Sequence, residues 1–342
     1  MAGLSWLCRT PNLTISADPA LFSSPQLCQY WSMGVLPVPT TSMLPPLPEG
    51  WHVLKCKLLD GPRLAIIGAD VDMLAAWQSA PTQQTAGEPW RLAAKATCKL
   101  WMFQDDQLID GVQFPMLEPF PIVEQFPDGR WLVVNGRSRG NGNARILGPD
   151  GAELQRIEVG DGIEHVKIDA QGRIWVGWFD EGVFGNSNWQ CPGHKWPPSS
   201  HGIAAFDDKG ALLSHATLAM ADCYALNVLG DEAWATTYPD FPIWRMKPGQ
   251  ERVWTTSLSG VCAIAVNFPN VLAAGGYQDE ANQVVLLRLE EEGARALAKW
   301  RLPFDVGLSS GVTMIDGRDD ELHVVQDKQW HRWRVADFAE SD

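Results

Sequence analysis

The densest run of side chains able to do chemistry lies between Phe179 and Phe206, in FDEGVFGNSNWQCPGHKWPPSSHGIAAF. Cys191 and His194 stand at Cys-x-x-His spacing, and His201 follows seven residues later. Thiolate and imidazole are zinc ligands, but a closed structural zinc site takes four, so Asp180 or Glu181 would have to complete this one. The competing reading is a surface loop pinned to the body by Phe184, Trp189 and Trp196, because aromatic side chains in a loop either anchor it or meet a partner. A single Cys-Pro-Gly-His arises readily by chance, and the aromatic-anchored binding loop is the favoured expectation.

Two further constellations sit where apolar alternation begins. Glu164 and His165 open one such run, and a carboxylate there could bind a cation or act as a general base. The alternative is a hydrated Glu164, or one paired with a basic group. Asp222-Cys223-Tyr224 opens another run, and Cys223 could serve as a nucleophile beside His165 or His201. Cys262 occupies the equivalent point of the next run, which points to packing instead. The Gly-rich GNGNA at 140–144 precedes no helical pattern and reads as a turn, not a phosphate cradle.

These residues need elements to position them. FPIVEQFPDGRWLVVNGRS (120–138), IEHVKIDAQGRIWVGWFD (163–180), CYALNVLGDEAWATTY (223–238), VCAIAVNFPNVLAAGGY (261–277) and GVTMIDGRDDELHVVQD (311–327) share one pattern. Each is two alternating apolar runs joined by a turn dipeptide, the mark of a β-hairpin. WHVLKCKLLDGPRLAIIGAD (51–70) is a weaker copy, and further strand pairs follow most copies, as in HGIAAFDDKGALLSHATL (201–218). The period matches propeller blades, in which radial packing buries both faces of each small sheet. The 31 Gly and 24 Pro oppose a helical fold, and the 17 Trp suit wedges between blades.

The expected fold is therefore all-β: a single six-bladed β-propeller of four-stranded blades spanning 1–342. Blades occupy 51–338, at about 51–112, 113–162, 163–220, 221–259, 260–303 and 304–338. The last copy shows three clear strands, so the ring is expected to be closed by an N-terminal strand, GLSWLCRT (3–10). The segment VLPVPTTSMLPPLPEG (35–50) reads as a Pro-rich connection, because proline excludes a central strand or helix interior. Residues 339–342 are a short tail.

At FPDGRWLVV and DAQGRIWVG the sequence resembles six-bladed propellers of the NHL-repeat and gluconolactonase (regucalcin-like) group. That resemblance implies that the motif forms the two inner strands of each blade. In the lactonase members it further implies a divalent metal in the central channel, held by a Glu, two Asn and an Asp. Glu164 stands for the Glu, and Asn227 within YALNVLGD resembles one Asn. The fifth and sixth copies offer no second Asn and no matching Asp.

The net charge of −14 speaks against a nucleic-acid partner, whose phosphates demand clustered Lys and Arg. It permits a basic protein partner. No apolar run reaches the ~20 residues of a membrane helix. The seven scattered cysteines and the absence of a signal-like start suggest reduced thiols in a cytoplasm. The expectation is a non-catalytic propeller engaging a protein partner through one face, for example as an acidic cytoplasmic inhibitor or immunity-type protein. No cofactor is predicted. The alternative is a metal-dependent hydrolase or lactonase with Ca or Zn at the channel, its catalytic residues drawn from Glu164, His165, Asp222 and Asn227, with Glu164 and Asn227 as metal ligands.

Overall fold

The computed structural model describes residues 35–79, 87–137, 142–186, 189, 193–247, 249–303, 314–326 and 328–339. Its strands form six four-stranded antiparallel sheets in a ring, a six-bladed β-propeller. Strand β1 (Thr40–Met43) precedes blade 1, which is β2 (His52–Leu58), β3 (Leu64–Ala69), β4 (Thr97–Gln104) and β5 (Gln107–Pro115). Blade 2 is β6 (Pro121–Gln125), β7 (Trp131–Asn135), β8 (Ala144–Leu147) and β9 (Glu153–Ile157). Blade 3 is β10 (Ile163–Ile168), β11 (Ile174–Trp178), β12 (Ile203–Phe206) and β13 (Leu212–His215). Blade 4 is β14 (Asp222–Leu229), β15 (Glu232–Tyr238), β16 (Ile243–Lys247) and β17 (Gln250–Trp254). Blade 5 is β18 (Val261–Asn267), β19 (Asn270–Gly275), β20 (Gln283–Leu289) and β21 (Ala294–Arg301). Blade 6 is β22 (Met314–Arg318), β23 (Glu321–Gln326) and β24 (Gln329–Arg334), with β1 as its outer strand.

The repeated hairpin has a local cause. In blade 3 the Asp169 carboxylate accepts the backbone N–H groups of Gln171 and Arg173 at 2.9 and 3.0 Å, the Arg173 Nε–H at 2.6 Å and the Trp175 indole N–H at 2.9 Å. Gly172 supplies the positive φ of 77° that the turn requires. One aspartate thus fixes the turn, the arginine above it and the tryptophan that follows. Asp128 repeats part of this in blade 2, accepting the N–H and Nε–H of Arg130.

The tryptophans then fill the seams. Trp175 meets Trp244 edge-on between blades 3 and 4, with ring centroids 6.5 Å apart. Trp234 and Trp254 stack at 5.8 Å in the seam between blades 4 and 5. Trp196 departs from the pattern and stands exposed in the 179–202 insertion.

The proposed closing strand at 3–10 lies outside the described residues. The outer strand of blade 6 comes from within 35–50, where only a connection was expected. Four proline-free residues, Thr-Thr-Ser-Met, pair antiparallel with β24, Thr40 opposite Arg332 and Met43 opposite Gln329. An edge strand tolerates flanking prolines because one of its sides needs no ladder partner. Trp333 secures the approach by donating its indole N–H to the Pro37 carbonyl at 2.8 Å.

Among the described residues four short α-helices decorate the strands: α1 (Met73–Gln78) and α2 (Gly87–Ala93) between β3 and β4, α3 (Asp180–Gly185) after β11, and α4 (Val335–Ala339) after β24. The stretch 335–338, placed by sequence at the end of the last blade, turns into α4 and buries Val335 and Phe338. Among the described residues no helix is long and apolar enough to cross a membrane.

The two ends of the ring differ. At the upper face the chain enters each blade, and second strands pass to third strands through the insertions that carry α1, α2 and α3. At the lower face short turns join first to second strands. Near the lower face the inner strands converge so tightly that a Cβ on Gly317 would lie 1.7 Å from the Ile264 carbonyl oxygen. Gly317→Ala should therefore destabilise the fold by about 3 kcal/mol or more, because backbone must move to admit the methyl. Gly129→Ala, where only the positive φ resists, should cost about 1 kcal/mol. Equilibrium denaturation of the two variants checks the ordering.

Candidate functional site: the axial channel and its upper mouth

The inner strands β2, β6, β10 and β22 each send charged side chains toward the axis. Lys167 on β10 reaches across to blade 6, where its ammonium meets the Asp316 carboxylate at 2.7 Å and the Gly317 carbonyl at 3.1 Å. Lys57 on β2 lies 3.5 Å from Asp316 and 3.6 Å from Glu124 on β6. Arg318 on β22 donates to Glu124 at 3.2 Å and to the Ile168 carbonyl at 2.8 Å. The five charged side chains are 0 to 13% exposed. Three cations and two carboxylates therefore plug the lower half of the channel.

Pairing is what makes this burial tolerable. Burial alone would raise the Asp316 carboxyl, but Lys167 and Lys57 outweigh it and hold the group well below the usual carboxylate range. Burial pulls the Lys167 ammonium down, against the opposing pull of Asp316.

Asn227, expected as a metal ligand, is used for construction. Its amide donates to the Ile264 carbonyl at 3.0 Å and the Asp319 carbonyl at 2.9 Å, and its oxygen accepts the Asp319 N–H at 2.9 Å. It stitches blades 4, 5 and 6 together near the lower face. Glu164 stands at the upper end of β10. Asn227 sits five residues beyond the first residue of β14, so at ~3.3 Å per residue the two lie at opposite ends of the channel. Among the described residues no three His, Cys, Asp or Glu side chains converge where a metal ion could be held.

His165 and Asp222 do belong to the upper mouth. The His165 Nε2 bonds the Tyr224 carbonyl at 3.0 Å, tying blade 3 to blade 4. Burial pushes the imidazole down to about 3, so it is neutral at physiological pH. Beside Asp222, burial raises the Cys223 thiol well above its ordinary value, opposite to what a nucleophile needs. Cys223 instead packs where Gly177 leaves room: a Cβ there would meet its sulfur at 2.6 Å.

Sequence reading missed the aromatic rim of this mouth. The Tyr224 and Tyr277 hydroxyls bond at 2.8 Å, and Phe241 packs edge-on against Tyr224 with centroids 4.8 Å apart. Tyr238 joins the group at 6.1 Å from Phe241 and is 47% exposed. Asp240, Phe241 and Gln278 hold positive φ values of 69°, 45° and 52°. For a bulky residue such as Phe241 that conformation is strained, and strain of this kind concentrates at functional sites. Three of the four tyrosines in the chain lie here, a clustering that the separate motifs did not reveal.

The insertion at 179–202 also rises from the upper face. Asn186 anchors it by exchanging hydrogen bonds with the Asp161 backbone, both at 2.9 Å. Trp189 packs against Trp178 and Phe206, each at 6.1 Å, and acts as an anchor. Phe184 and Trp196 point outward, 72% and 63% exposed, with the Lys195 ammonium 5.3 Å above the Trp196 ring. Cys191 lies outside the described residues. His194 is exposed, and His201 stacks on His215 of β13 at 3.6 Å, a partner that the Cys-x-x-His reading did not foresee. Glu181 is drawn to Arg137 at 2.6 Å.

No family model and no curated protein matches the chain. Among solved structures, a chain of a mitotic checkpoint complex aligns with TM-score 0.53 and 9% identity, over 85% of this chain and 80% of that one. Kluyveromyces lactis Hsv2 aligns with TM-score 0.49 and 11% identity, over 83% and 75%. The β-propeller domain of Myceliophteria thermophila Cps50 (Swd1) aligns with TM-score 0.43 and 10% identity, over 70% and 77%. The likeness is one of fold.

The neutral His165 yields a pH dependence. Its folded pKa lies below the ordinary value, so between about pH 6.5 and 3 the unfolded chain binds the proton more readily. Stability is therefore lost as pH falls through that window. His165→Gln, which keeps a donor for the Tyr224 carbonyl, should flatten the decline by up to about one proton, or roughly 1.4 kcal/mol per pH unit. Denaturation midpoints of both proteins between pH 7 and 4 check this; parallel curves would contradict it.

Proposed function

We propose that this chain is a non-catalytic propeller that engages a protein partner through its upper face, at blades 3 and 4. The carrying observation is the set of exposed aromatic side chains there: Phe184, Trp196 and Tyr238. Aromatic anchors dominate the binding energy of protein interfaces. Leaving them exposed in water-facing loops brings the fold itself no benefit.

Charge supports the same reading and bears on the partner. Asp180, Glu181, Asp240, Asp279 and Glu280 are exposed on the upper-face loops of blades 3 to 5. Together with the net charge of −14 they favour a basic partner, whose approach would be steered electrostatically. An acidic inhibitor that covers the working surface of a basic protein is one role of this kind. A channel metal has less support, because Lys55, Lys57, Lys167 and Arg318 bring cations to the axis and Asn227 is committed to blade contacts.

The test compares the immobilised protein with a Phe184→Ser, Trp196→Ser, Tyr238→Ser variant whose fold is verified by its melting curve. The protein should retain a specific, basic partner at low salt, and the variant should bind it about a hundredfold more weakly. Recovery of no specific partner, or equal retention by both, would overturn the proposal.

A further inference from the structure

We propose that His201 and His215 form a proton-sensitive latch, which holds residues 193–201 of the insertion against blade 3 and releases them as pH falls below neutral. His201 ends a single 3₁₀ turn, Pro198–His201, and His215 ends β13. Their rings lie face to face, with centroids 3.6 Å apart and planes 21° from parallel. The His215 Nδ1 bonds the Ala216 carbonyl at 3.0 Å. A carbonyl only accepts, so Nδ1 carries the hydrogen and Nε2 is left to take up a second proton.

Two neutral imidazoles share such a contact, and so do one neutral and one charged ring. Two cations at that separation repel strongly. The elements packed against the turn bring little counter-charge. On α3, Asp180 accepts the Glu181 N–H at 2.8 Å, and Glu181 is drawn to Arg137 at 2.6 Å. β12 carries no ionisable side chain, and on β13 His215 is the single one. Glu251 of β17 reaches the residues that follow, where the Thr217 and Leu218 N–H groups and the Trp244 indole hold it. His194, exposed in the same limb, adds a like charge when protonated. Burial first, then His215 and His194, hold the His201 imidazole below its ordinary value.

The closed form is therefore favoured above about pH 6.5, the ordinary value of a histidine, and loses that advantage as pH falls. The open limb binds both protons, whereas the closed pair resists the second. One proton of difference shifts the opening equilibrium about tenfold per pH unit. Trp196 lies five residues before His201, so a partner anchored on Trp196, as proposed for the upper face, would be held less firmly in acid.

The test is hydrogen exchange on the full chain at pH 7.5, 6.5 and 5.5, corrected for intrinsic rates. It follows the Ser200 and Gly202 amides, which bond the Pro197 and Ser199 carbonyls, against amides of β14 and β15. Relative to those strands, protection at Ser200 and Gly202 should fall about tenfold between pH 6.5 and 5.5. The comparison separates the latch from a global loss through His165. A variant with His201→Phe and His215→Phe keeps two stacked rings but binds no proton there, and its decline should be about threefold or less. In imidazole NMR titrations the pKa of His201 should rise in His215→Phe, a readout that holds even where the double variant fails to fold. Equal pH dependence in parent and double variant, or a His201 pKa unmoved by His215→Phe, would overturn the proposal. Neither measurement needs a partner, so the latch and the protein interface stand or fall separately.

Discussion

A closed ring of blades must resolve what happens at its axis, and here it does so with a contact that crosses it. Lys167 of blade 3 meets Asp316 and the Gly317 carbonyl of blade 6, while Arg318 of blade 6 returns to the Ile168 carbonyl of blade 3. These reciprocal bonds join opposite sides of the ring. They are possible because Gly317 lets its strand lie against β18 without a side chain between them. Buried ions seldom stabilise more than well-packed apolar groups would, but removing one partner leaves a charge stranded. The network therefore acts mainly on geometry: it penalises any register or spacing in which the inner strands fail to meet.

Plugging the lower half divides the molecule into a constructional end and an open end. At the lower face the polar groups are consumed locally, as Asp169 and Asp128 show. The groove between blades 2 and 3 at that face is lined by Asp128, Arg130, Arg173, Asp207 and Asp208, and its charges are largely paired, with Arg130 bridging Asp128 and Asp208. At the upper face the chain carries insertions that add no strand to the sheets. Phe184, Trp196 and Tyr238 point outward there, and Phe241 holds a strained left-handed conformation in the same rim. The sheets need neither, so that end is free to meet a partner.

The fold was legible because its determinants are local. A hairpin motif whose aspartate bonds residues two, four and six positions away leaves a compact signature. The axis was not legible in the same way, since Lys167 and Asp316 are 149 residues apart. Yet a trace existed: Lys57, Glu124, Lys167 and Asp316 are charges interrupting the apolar alternation of equivalent strands in four repeats. Superposing the repeats would have marked those positions as meeting at the axis. The α1–α2 insertion and the strand at Thr40–Met43 left weaker traces, because both are short and flanked by proline or turn residues. His201 misled for a further reason. Its spacing to Cys191 suggested a metal, whereas its observed partner, His215, comes from the far side of a hairpin.

An acidic protein whose axis is filled with paired charges raises the question of which field an approaching partner feels. Screening removes most of the effect of surface charges beyond about 8 Å at physiological ionic strength. Across that distance the net charge of −14 repels anions and attracts cations, which suits a basic protein arriving at the rim. Within the channel the charges are paired at close range, and Asp319 lies near Arg318 and Lys167, so they largely cancel when seen from outside. The field that reaches an approaching partner is therefore that of the exposed carboxylates at the rim, and it weakens as salt rises.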